Sequence, residues 1–368
     1  MRLIYWVLLL LSIGCKNENF EKTEFKETIN IGKGENVKLS RVMDSISFIT
    51  LDKVKVVGDI SMIKIGNDGF YIHDRIGKSI IKFDITGKYV YEIKKQGRGP
   101  GEYTMITDYL VNSEECVEII DIGNRQRLWF NQEGNYIKET KISSMDISHL
   151  YLTDSMVVGS HHPGARLKSD YFFHLWNRDM TTLIDGNLPF EPFRDKYLNG
   201  NVYPFSKYGK TLNLCTDYSN IVYSINELGA ITPKYELNFT HYKWPPIDVY
   251  KKYYNNTVFE WSDGMKSYVQ FLRFIESEEK SYLGFYVEGN RYNTFYDKTK
   301  KTSICAKTFI DDIGLGTTNF EIVGFHNQFW YAIVRTYEMD NLDILNNRGV
   351  NISSDDDNPF IIIKFKLK

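Results

Sequence analysis

The chain of 368 residues has 42% hydrophobic and 25% charged residues, a composition that excludes a disordered polypeptide and allows a large core. Its 45 basic and 47 acidic residues leave a formal net charge of −2, so no overall field draws it to nucleic acid, which we exclude as a partner. Aromatic residues make up 15% of the chain and suit pleated, half-buried surfaces. We therefore expect an all-β protein.

The first fourteen residues have the layout of a secretory signal, so we expect residues 1–14 to be removed. Arg2 precedes the apolar run Leu3–Leu11, which is too short for a membrane helix of about 20 residues. Gly14 and Cys15 resemble the lipobox of bacterial lipoproteins, although Ser12 stands where Leu is usual. The resemblance implies a lipid on Cys15 and an exported lipoprotein of the outer membrane, with the leaflet open. An ordinary cleavable signal with an incidental cysteine is the alternative.

Residues 15–40 are expected to be the lipidated cysteine and a flexible tether, because the segment that starts at Lys16 is polar and without periodicity. The other three cysteines, Cys116, Cys215 and Cys305, are far apart and form no CxxC pair. This spacing excludes a zinc ribbon and a disulfide-rich scaffold.

A repeat runs through residues 41–368. Four residues of one unit recur 47 positions later in the next unit. Asp74, Phe83, Gly87 and Tyr89 correspond to Asp121, Phe130, Gly134 and Tyr136. An Asp or Asn after an apolar strand recurs at intervals of 47, 46, 49 and 71 residues, at Asp84, Asn131, Asn177, Asn226 and Asp297. We attribute the long interval to an insertion at 241–267, with a short helix starting at its prolines.

Each unit of 46 to 49 residues holds about four short strands separated by turn residues, which is the size of a propeller blade. The last segment, Phe360–Lys366, stops one strand short of a complete unit, whereas Ser45–Leu51 is a strand without a blade. Pairing the two would close a ring and remove an exposed edge. The sequence thus predicts a six-bladed β-propeller closed by an N-terminal strand, with a β-sandwich as the alternative.

The segment Gln96–Tyr103, QGRGPGEY, carries a family resemblance. With the lipidation signal and the first two blades, it resembles the six-bladed β-propeller lipoproteins of Bacteroidota, which are similar to NHL-repeat propellers. The resemblance implies an exported binding or scaffold protein, and it supplies no catalytic residues to transfer.

Loops on a rigid scaffold commonly carry function. In a four-stranded blade, the turn between the second and third strands shares a face with the crossovers between blades. We call this the crossover face and place the ligand site there. The loop Gln96–Tyr103 is either a rigid crossover or a support that holds Arg98 at the channel mouth, where a guanidinium can grip a carboxylate or phosphate. The candidate ligand-binding residues are Asp74, Arg75, Arg98, Glu102, Tyr103, Asp121, Arg125, Arg127, His161, His162, Asp217 and Arg291.

No metal or other cofactor is predicted. Adjacent residues such as His161 and His162 point to opposite faces of an extended strand, and the sequence places no third ligand near them. Asp355, Asp356 and Asp357 offer oxygen ligands for Ca²⁺, but acidic runs in loops are usually solvated.

The sequence contains no GxSxG, HExxH, P-loop or Rossmann motif, and we predict no catalytic residues. We expect a lipid-anchored, non-catalytic binding or scaffold module for a glycan, peptide or protein at the cell envelope. One alternative is an enzyme similar to the metal-dependent lactonases and lyases among six-bladed propellers, with its site at the channel mouth. Another is a scaffold subunit whose partner covers an aromatic surface near Trp244 and Trp261.

The lipidation prediction is tested by replacing the acceptor thiol. Cells that express the chain with Cys15→Ala and receive a radioactive fatty acid should leave the protein unlabelled, because no other residue fits the lipobox. The unchanged chain should be labelled under the same conditions. Label that persists in the Cys15→Ala protein would rule out this anchor.

Overall fold

The computed structural model describes residues 27–161, 169–189, 203–216, 219–246, 263–339, 343–347 and 358–368, with 248, 249, 252 and 350. Its first elements precede the repeat: strands β1 (Glu27–Asn30) and β2 (Glu35–Lys38), helix α1 (Leu39–Val42) and strand β3 (Met43–Thr50). Among the described residues, no helix is long and apolar enough to cross a membrane.

Six sheets form the ring that the repeat predicts. Blade 1 consists of β4 (Ile60–Ile65), β5 (Gly69–Asp74), β6 (Ser79–Asp84) and β7 (Tyr89–Ile93). Blade 2 consists of β8 (Asp108–Val111), β9 (Val117–Asp121), β10 (Gln126–Phe130) and β11 (Tyr136–Lys141). Blade 3 consists of β12 (Ser148–Thr153), β13 (Met156–Ser160), β14 (Tyr171–Asn177) and β15 (Leu183–Pro189).

Blade 4 consists of β16 (Phe205–Tyr208), β17 (Thr211–Cys215), β18 (Ile221–Ile225) and β19 (Ile231–Asn238). Blade 5 consists of β20 (Gln270–Glu276), β21 (Lys280–Val287), β22 (Asn290–Asp297) and β23 (Thr302–Ile310). Blade 6 contains β24 (Glu321–His326), β25 (Phe329–Arg335) and β26 (Phe360–Leu367), and a 3₁₀ turn (Thr336–Glu338) and helix α2 (Asp343–Asn346) lie between its last two strands. The middle strands are the most buried, because neighbouring blades cover both of their faces.

The repeated Asp or Asn residues form one kind of hairpin turn, between the third and fourth strands of a blade. The side-chain Oδ1 of Asp84 accepts the backbone N–H groups two and four residues later, at 2.8 and 3.0 Å. Asn131 does the same at 3.2 and 2.8 Å. Gly87 and Gly134 take the positive φ of these turns, +90° and +78°. Asn226 repeats this pattern, whereas Asn177 accepts the N–H groups four and five residues later and Asp297 those two and three residues later.

The predicted ring closure is confirmed. Strand β3 pairs antiparallel with β26, with Ile49 opposite Ile362 and Phe48 opposite Ile363. It supplies the outermost strand of blade 6. Ile362 is fully buried in a cluster that continues into blade 1 through Phe70, so the two ends of the chain share one core.

The predicted tether is wrong from Glu27 onward. Strand β1 adds a fifth, parallel strand to β19 of blade 4, and β2 does the same to β23 of blade 5. Ile29 and Val37 are 2% and 1% exposed. Each is the single buried apolar residue of its strand, so the sequence shows no periodicity there. The two strands are held by backbone hydrogen bonds to β19 and β23. Residues 1–26, which include the predicted signal and Cys15, lie outside the described residues.

The part of the insertion that the structure describes packs on blade 5. Trp244 stacks on Phe239 with ring centroids 5.6 Å apart, and the Tyr242 hydroxyl accepts the backbone N–H of Gly34 at 2.6 Å. The helix predicted at the prolines falls largely outside the described residues, as does Trp261. Cys116, Cys215 and Cys305 are free thiols.

The closure predicts a large cost for truncating a buried side chain in β26. Ile362→Ala should lower the free energy of unfolding by about 2–5 kcal/mol, because it leaves a cavity where the first and last blades meet. Urea denaturation provides the measurement. Ile137→Ala is the matched control, since Ile137 is 52% exposed on outer strand β11 and should cost at most about 0.5 kcal/mol. Equal effects of the two changes would contradict the closed core.

Candidate functional site

The first strand of each blade faces the ring axis, and the six strands β4, β8, β12, β16, β20 and β24 line a channel of about 300 Å³. Its wall carries a charged pair between blades 1 and 2. The Lys64 ammonium donates to Asp108 Oδ1 at 3.0 Å, and the backbone N–H of His149 donates to Asp108 Oδ2 at 2.6 Å. Burial raises the pKa of the Asp108 carboxyl, but Lys64 and His149 outweigh burial and leave that pKa below its usual range.

Tyr203 lies across the crossover end of the channel. Its hydroxyl donates to the backbone carbonyl of Ser61 at 2.5 Å, which joins the crossover before blade 4 to blade 1 on the far side of the ring. The Arg273 guanidinium stacks on the Tyr203 ring at 4.1 Å. Tyr203 therefore lines both the channel and a second cavity at its mouth.

We call this second space the mouth cavity. It has a volume of about 280 Å³ and lies on the crossover face, between blades 5, 6 and 1. Its wall contains aromatic rings, two arginines, two glutamates and an asparagine. These residues are Tyr203, Tyr286, Phe320, Phe360, Arg291, Arg335, Glu321, Glu338 and Asn319. This mixture can bind an anionic group and accept hydroxyl hydrogen bonds.

Arg291 is the sequence-predicted residue that reaches the mouth cavity. It is partly buried, and its guanidinium donates to two neutral oxygens, the Phe320 carbonyl at 3.3 Å and the Tyr282 hydroxyl at 3.2 Å. Within the described chain no carboxylate lies within 4.0 Å of it. Burial lowers the pKa of Arg291, but Tyr282 and Glu321 outweigh burial and leave that pKa above its usual range. Glu321 is itself paired with Arg273, so an anionic ligand can still form a direct ion pair with Arg291.

Arg335, which sequence reasoning missed, also lines the mouth cavity. Its guanidinium lies 3.7 Å from the Glu338 carboxylate and 4.0 Å from that of Asp59, beyond hydrogen-bond range, and its side chain is 36% exposed. Glu338 accepts a hydrogen bond from Asn319 at 2.8 Å. Arg335 therefore retains donors that can turn toward a ligand.

Two predicted residues, Asp74 and Asp121, brace the loops of their own blades. The Asp74 carboxylate accepts the backbone N–H groups of Gly58 and Asp59, both at 3.1 Å. The Asp121 carboxylate accepts the backbone N–H of Thr104 at 2.7 Å. Both are buried, at 3% and 0% exposure. Each ties the turn after the second strand to the preceding crossover, and this bracing occupies oxygens that we expected to contact a ligand.

The Gly-Pro-Gly loop has the geometry of a rigid crossover. Glu102 accepts the backbone N–H of Gly99 at 2.7 Å, within the loop. The Tyr103 hydroxyl donates to the carbonyls of Lys78 and Ile93 at 2.8 and 3.1 Å, and burial raises its pKa to about 12. Arg98 is exposed, and it does not line the mouth cavity.

The remaining predicted residues lie in different surroundings. Arg75 is exposed and pairs with Asp59 at 2.8 Å, and Arg125 is an exposed loop residue. Arg127 is fully buried, which corrects its placement among the exposed loop ends. It pairs with Glu118, donates to the Tyr151 hydroxyl at 2.5 Å and stacks on Trp129. Its strand, β10, begins one residue before it, so its side chain turns inward between blades. His162 and Asp217 lie outside the described residues.

His161 belongs to a buried cluster in blade 3. Its Nδ1 lies 3.1 Å from Asp146 Oδ1, and His174 Nδ1 lies 2.7 Å from the same oxygen. The other oxygen, Oδ2, accepts the Trp176 indole N–H at 2.6 Å. Burial raises the pKa of the Asp146 carboxyl, but its hydrogen bonds to His161 and His174 leave that pKa well below its usual range. Sequence reasoning missed Asp146 and His174. In the structure, Gly159 in β13 leaves room for the carboxylate, since a Cβ there would lie 2.0 Å from Asp146 Oδ2.

These features define a propeller with a polar, arginine-containing mouth cavity. Residues 23–364 match the family described as "Domain of unknown function (DUF4934)", and the chain belongs to it. No curated protein matches the sequence.

Two crystal structures with the same architecture come from Bacteroides. A "Putative exported protein" of Bacteroides fragilis is similar over 93% of this chain and 99% of its own, with a TM-score of 0.74 and 18% identity. A DUF4221 family member of Bacteroides vulgatus is similar over 89% of this chain and 97% of its own, with a TM-score of 0.55 and 12% identity. At these identities the likeness establishes the fold.

The lowered pKa of Asp108 predicts how stability depends on pH. Because the folded-state pKa lies below the unfolded value of about 3.9, the carboxylate stabilises the protein above that value and loses its contribution as pH falls through the folded pKa. Asp108→Asn should cost about 1–3 kcal/mol at pH 7. Urea unfolding at pH 7, 5, 4 and 3 should show this difference shrinking below about pH 4. A difference that stays constant to pH 3 would contradict the assignment.

Proposed function

We propose that the protein is a non-catalytic binding module of the cell envelope, and that its mouth cavity binds the carboxylate of an acidic glycan. The observation that carries the proposal is Arg291, a partly buried guanidinium in the cavity wall whose described contacts are neutral oxygens. A ligand carboxylate would give Arg291 a direct ionic partner through charge-assisted, bidentate hydrogen bonds.

The rest of the wall supports a sugar as the carrier of that carboxylate. Glu321 and Glu338 accept hydrogen bonds from Arg273 and Asn319, and their remaining lone pairs suit sugar hydroxyls. The ring of Tyr286 offers an aromatic face, and a volume of about 280 Å³ suits one or two sugar units. An acidic peptide would bring a carboxylate with fewer hydroxyl groups, so it would make less use of these acceptors.

We infer that the module is exported and anchored through a lipid on Cys15. The support is the apolar run that ends at Gly14 and Cys15, together with the likeness to the Bacteroides fragilis protein described as exported. Lipid attachment, the outer membrane and the resemblance to NHL-like lipoproteins remain parts of this proposal.

The enzyme alternative needs several metal-ligating side chains converging at the channel mouth. Among the described residues, the group suited to a metal is Asp146, His161 and His174, and none of these lines the mouth cavity. The contacts at the mouth therefore favour binding over that chemistry.

The proposal is tested by removing the cavity guanidinium. Arg291→Gln should weaken binding of a galacturonate or glucuronate oligosaccharide by about 10- to 150-fold in isothermal titration calorimetry. That range corresponds to the 1.5–3 kcal/mol of a charged hydrogen bond. Arg335→Gln should have a smaller effect, because its side chain is more exposed.

Arg98→Gln is the matched control, since it removes an equal charge from the same face outside the mouth cavity. It should leave affinity unchanged. Neutral oligosaccharides of equal length should bind weakly, and acidic peptides should bind less tightly than the uronates. Equal losses from Arg98→Gln and Arg291→Gln, or uronate binding no tighter than that of neutral sugars, would refute the proposal.

A further inference from the structure

The Asp146 cluster has a composition unlike that of the other buried carboxylates. Asp108 pairs with a lysine, Glu118 with an arginine and Glu276 with lysines. The buried carboxylates of Asp74 and Asp121 accept backbone N–H groups. The Asp146 carboxylate has neither kind of partner within the described chain: its contacts are two imidazoles, an indole and a hydroxyl. The buried carboxylate therefore has a cationic partner only if one of these imidazoles is protonated.

Three potential ligand atoms converge beside this charge. Each of Asp146, His161 and His174 offers one ligand atom, and these atoms lie within 4.8 Å of one another. The Nδ1 atoms of His161 and His174 lie 3.1 and 2.7 Å from Asp146 Oδ1. A tetrahedral ion with bonds of about 2.1 Å separates its ligand atoms by about 3.4 Å, so binding requires these two distances to grow by about 0.3 and 0.7 Å. Two imidazoles and a carboxylate suit Zn²⁺ and similar ions.

The surroundings hold these groups in orientation. Asp146 Oδ2 receives hydrogen bonds from Trp176 at 2.6 Å and from Ser144 at 3.1 Å, which leaves Oδ1 directed at the imidazoles. His174 Nε2 lies 2.6 Å from the Ser169 hydroxyl. Metal-binding histidines commonly use their second nitrogen in this way, which fixes the ring and makes the first nitrogen the ligand.

We propose that Asp146, His161 and His174 form a binding site for one divalent transition-metal ion of the zinc type. The ion would neutralise the buried carboxylate and join three segments of blade 3: the crossover before β12, the end of β13, and β14. With three protein ligands, a fourth position would be open to water or another small ligand.

The competing account is a purely hydrogen-bonded cluster. In it both imidazoles are neutral and donate Nδ1–H to Oδ1, and the Ser169 hydroxyl donates to His174 Nε2. This arrangement also satisfies the polar atoms, but it predicts no stoichiometric affinity for metal.

Metal titration separates the two accounts. The purified full chain without a histidine tag, stripped with EDTA and dialysed, is titrated with Zn²⁺ in a calorimeter and with Co²⁺ in a spectrophotometer. We expect one equivalent of each, visible absorption bands typical of four-coordinate Co²⁺, and a rise in Tm with Zn²⁺.

The variants His161→Gln and His174→Gln should each weaken binding by at least about 100-fold, because each removes one of three ligands. His73→Gln is the matched control. His73 is also buried and bonded to a serine, at 2.7 Å from the Ser61 hydroxyl, but it lies in blade 1. It should bind Zn²⁺ and Co²⁺ as the unchanged chain does.

Circular dichroism checks that the variants fold, and the unchanged chain decides the matter if they do not. Absence of stoichiometric Zn²⁺ and Co²⁺ binding by the folded chain would overturn the proposal and leave the hydrogen-bonded cluster. Binding that survives both histidine changes would also overturn it, because the metal would then lie elsewhere. Neither result depends on whether the mouth cavity binds uronates.

Discussion

The pairing of β3 with β26 is the constraint on which the rest of the ring depends. A propeller blade buries its faces only against two neighbours, so an open ring would expose the sides of blades 1 and 6 together with a free strand edge. Here the outer strand of the last blade comes from residues 43–50, and its side chains continue into the core of the first blade. The channel and the mouth cavity exist because this junction holds all six inner strands around one axis.

Much of the fold was predictable because its signals are local. An Asp or Asn that accepts backbone N–H groups of its own turn recurs in blades 1 to 5, so the period of 46 to 49 residues could be read directly from the sequence. The closing strand was predictable because Ser45–Leu51 alternates. Strands β1 and β2 were not predictable, because each buries a single apolar side chain and pairs with a strand that is distant in the sequence.

The candidate site was less predictable, because it combines residues from separate blades. Turn geometry pointed to the crossover face and included Arg291, which lines the mouth cavity. It could not show that Asp74 and Asp121 brace their own loops, since a carboxylate that accepts backbone N–H groups looks the same in sequence as one that faces solvent. Tyr203 and Arg335 enter the mouth cavity only once the ring is closed. Likewise, Asp146 and His174 approach His161 only after a crossover folds back on two strands of blade 3.

The two N-terminal strands make the rim of the ring unequal. Blades 4 and 5 each carry an extra parallel strand, whereas β7, β11 and β15 remain as the outer strands of blades 1 to 3. Another chain that sought unpaired backbone groups would therefore meet edges of only four residues, β1 and β2, on blades 4 and 5 and longer outer strands on the other blades. Two of these longer strands are protected in other ways, because β11 carries alternating charges and β15 ends in a proline. Strand addition is thus limited in length on one side of the ring and discouraged by side chains on the other.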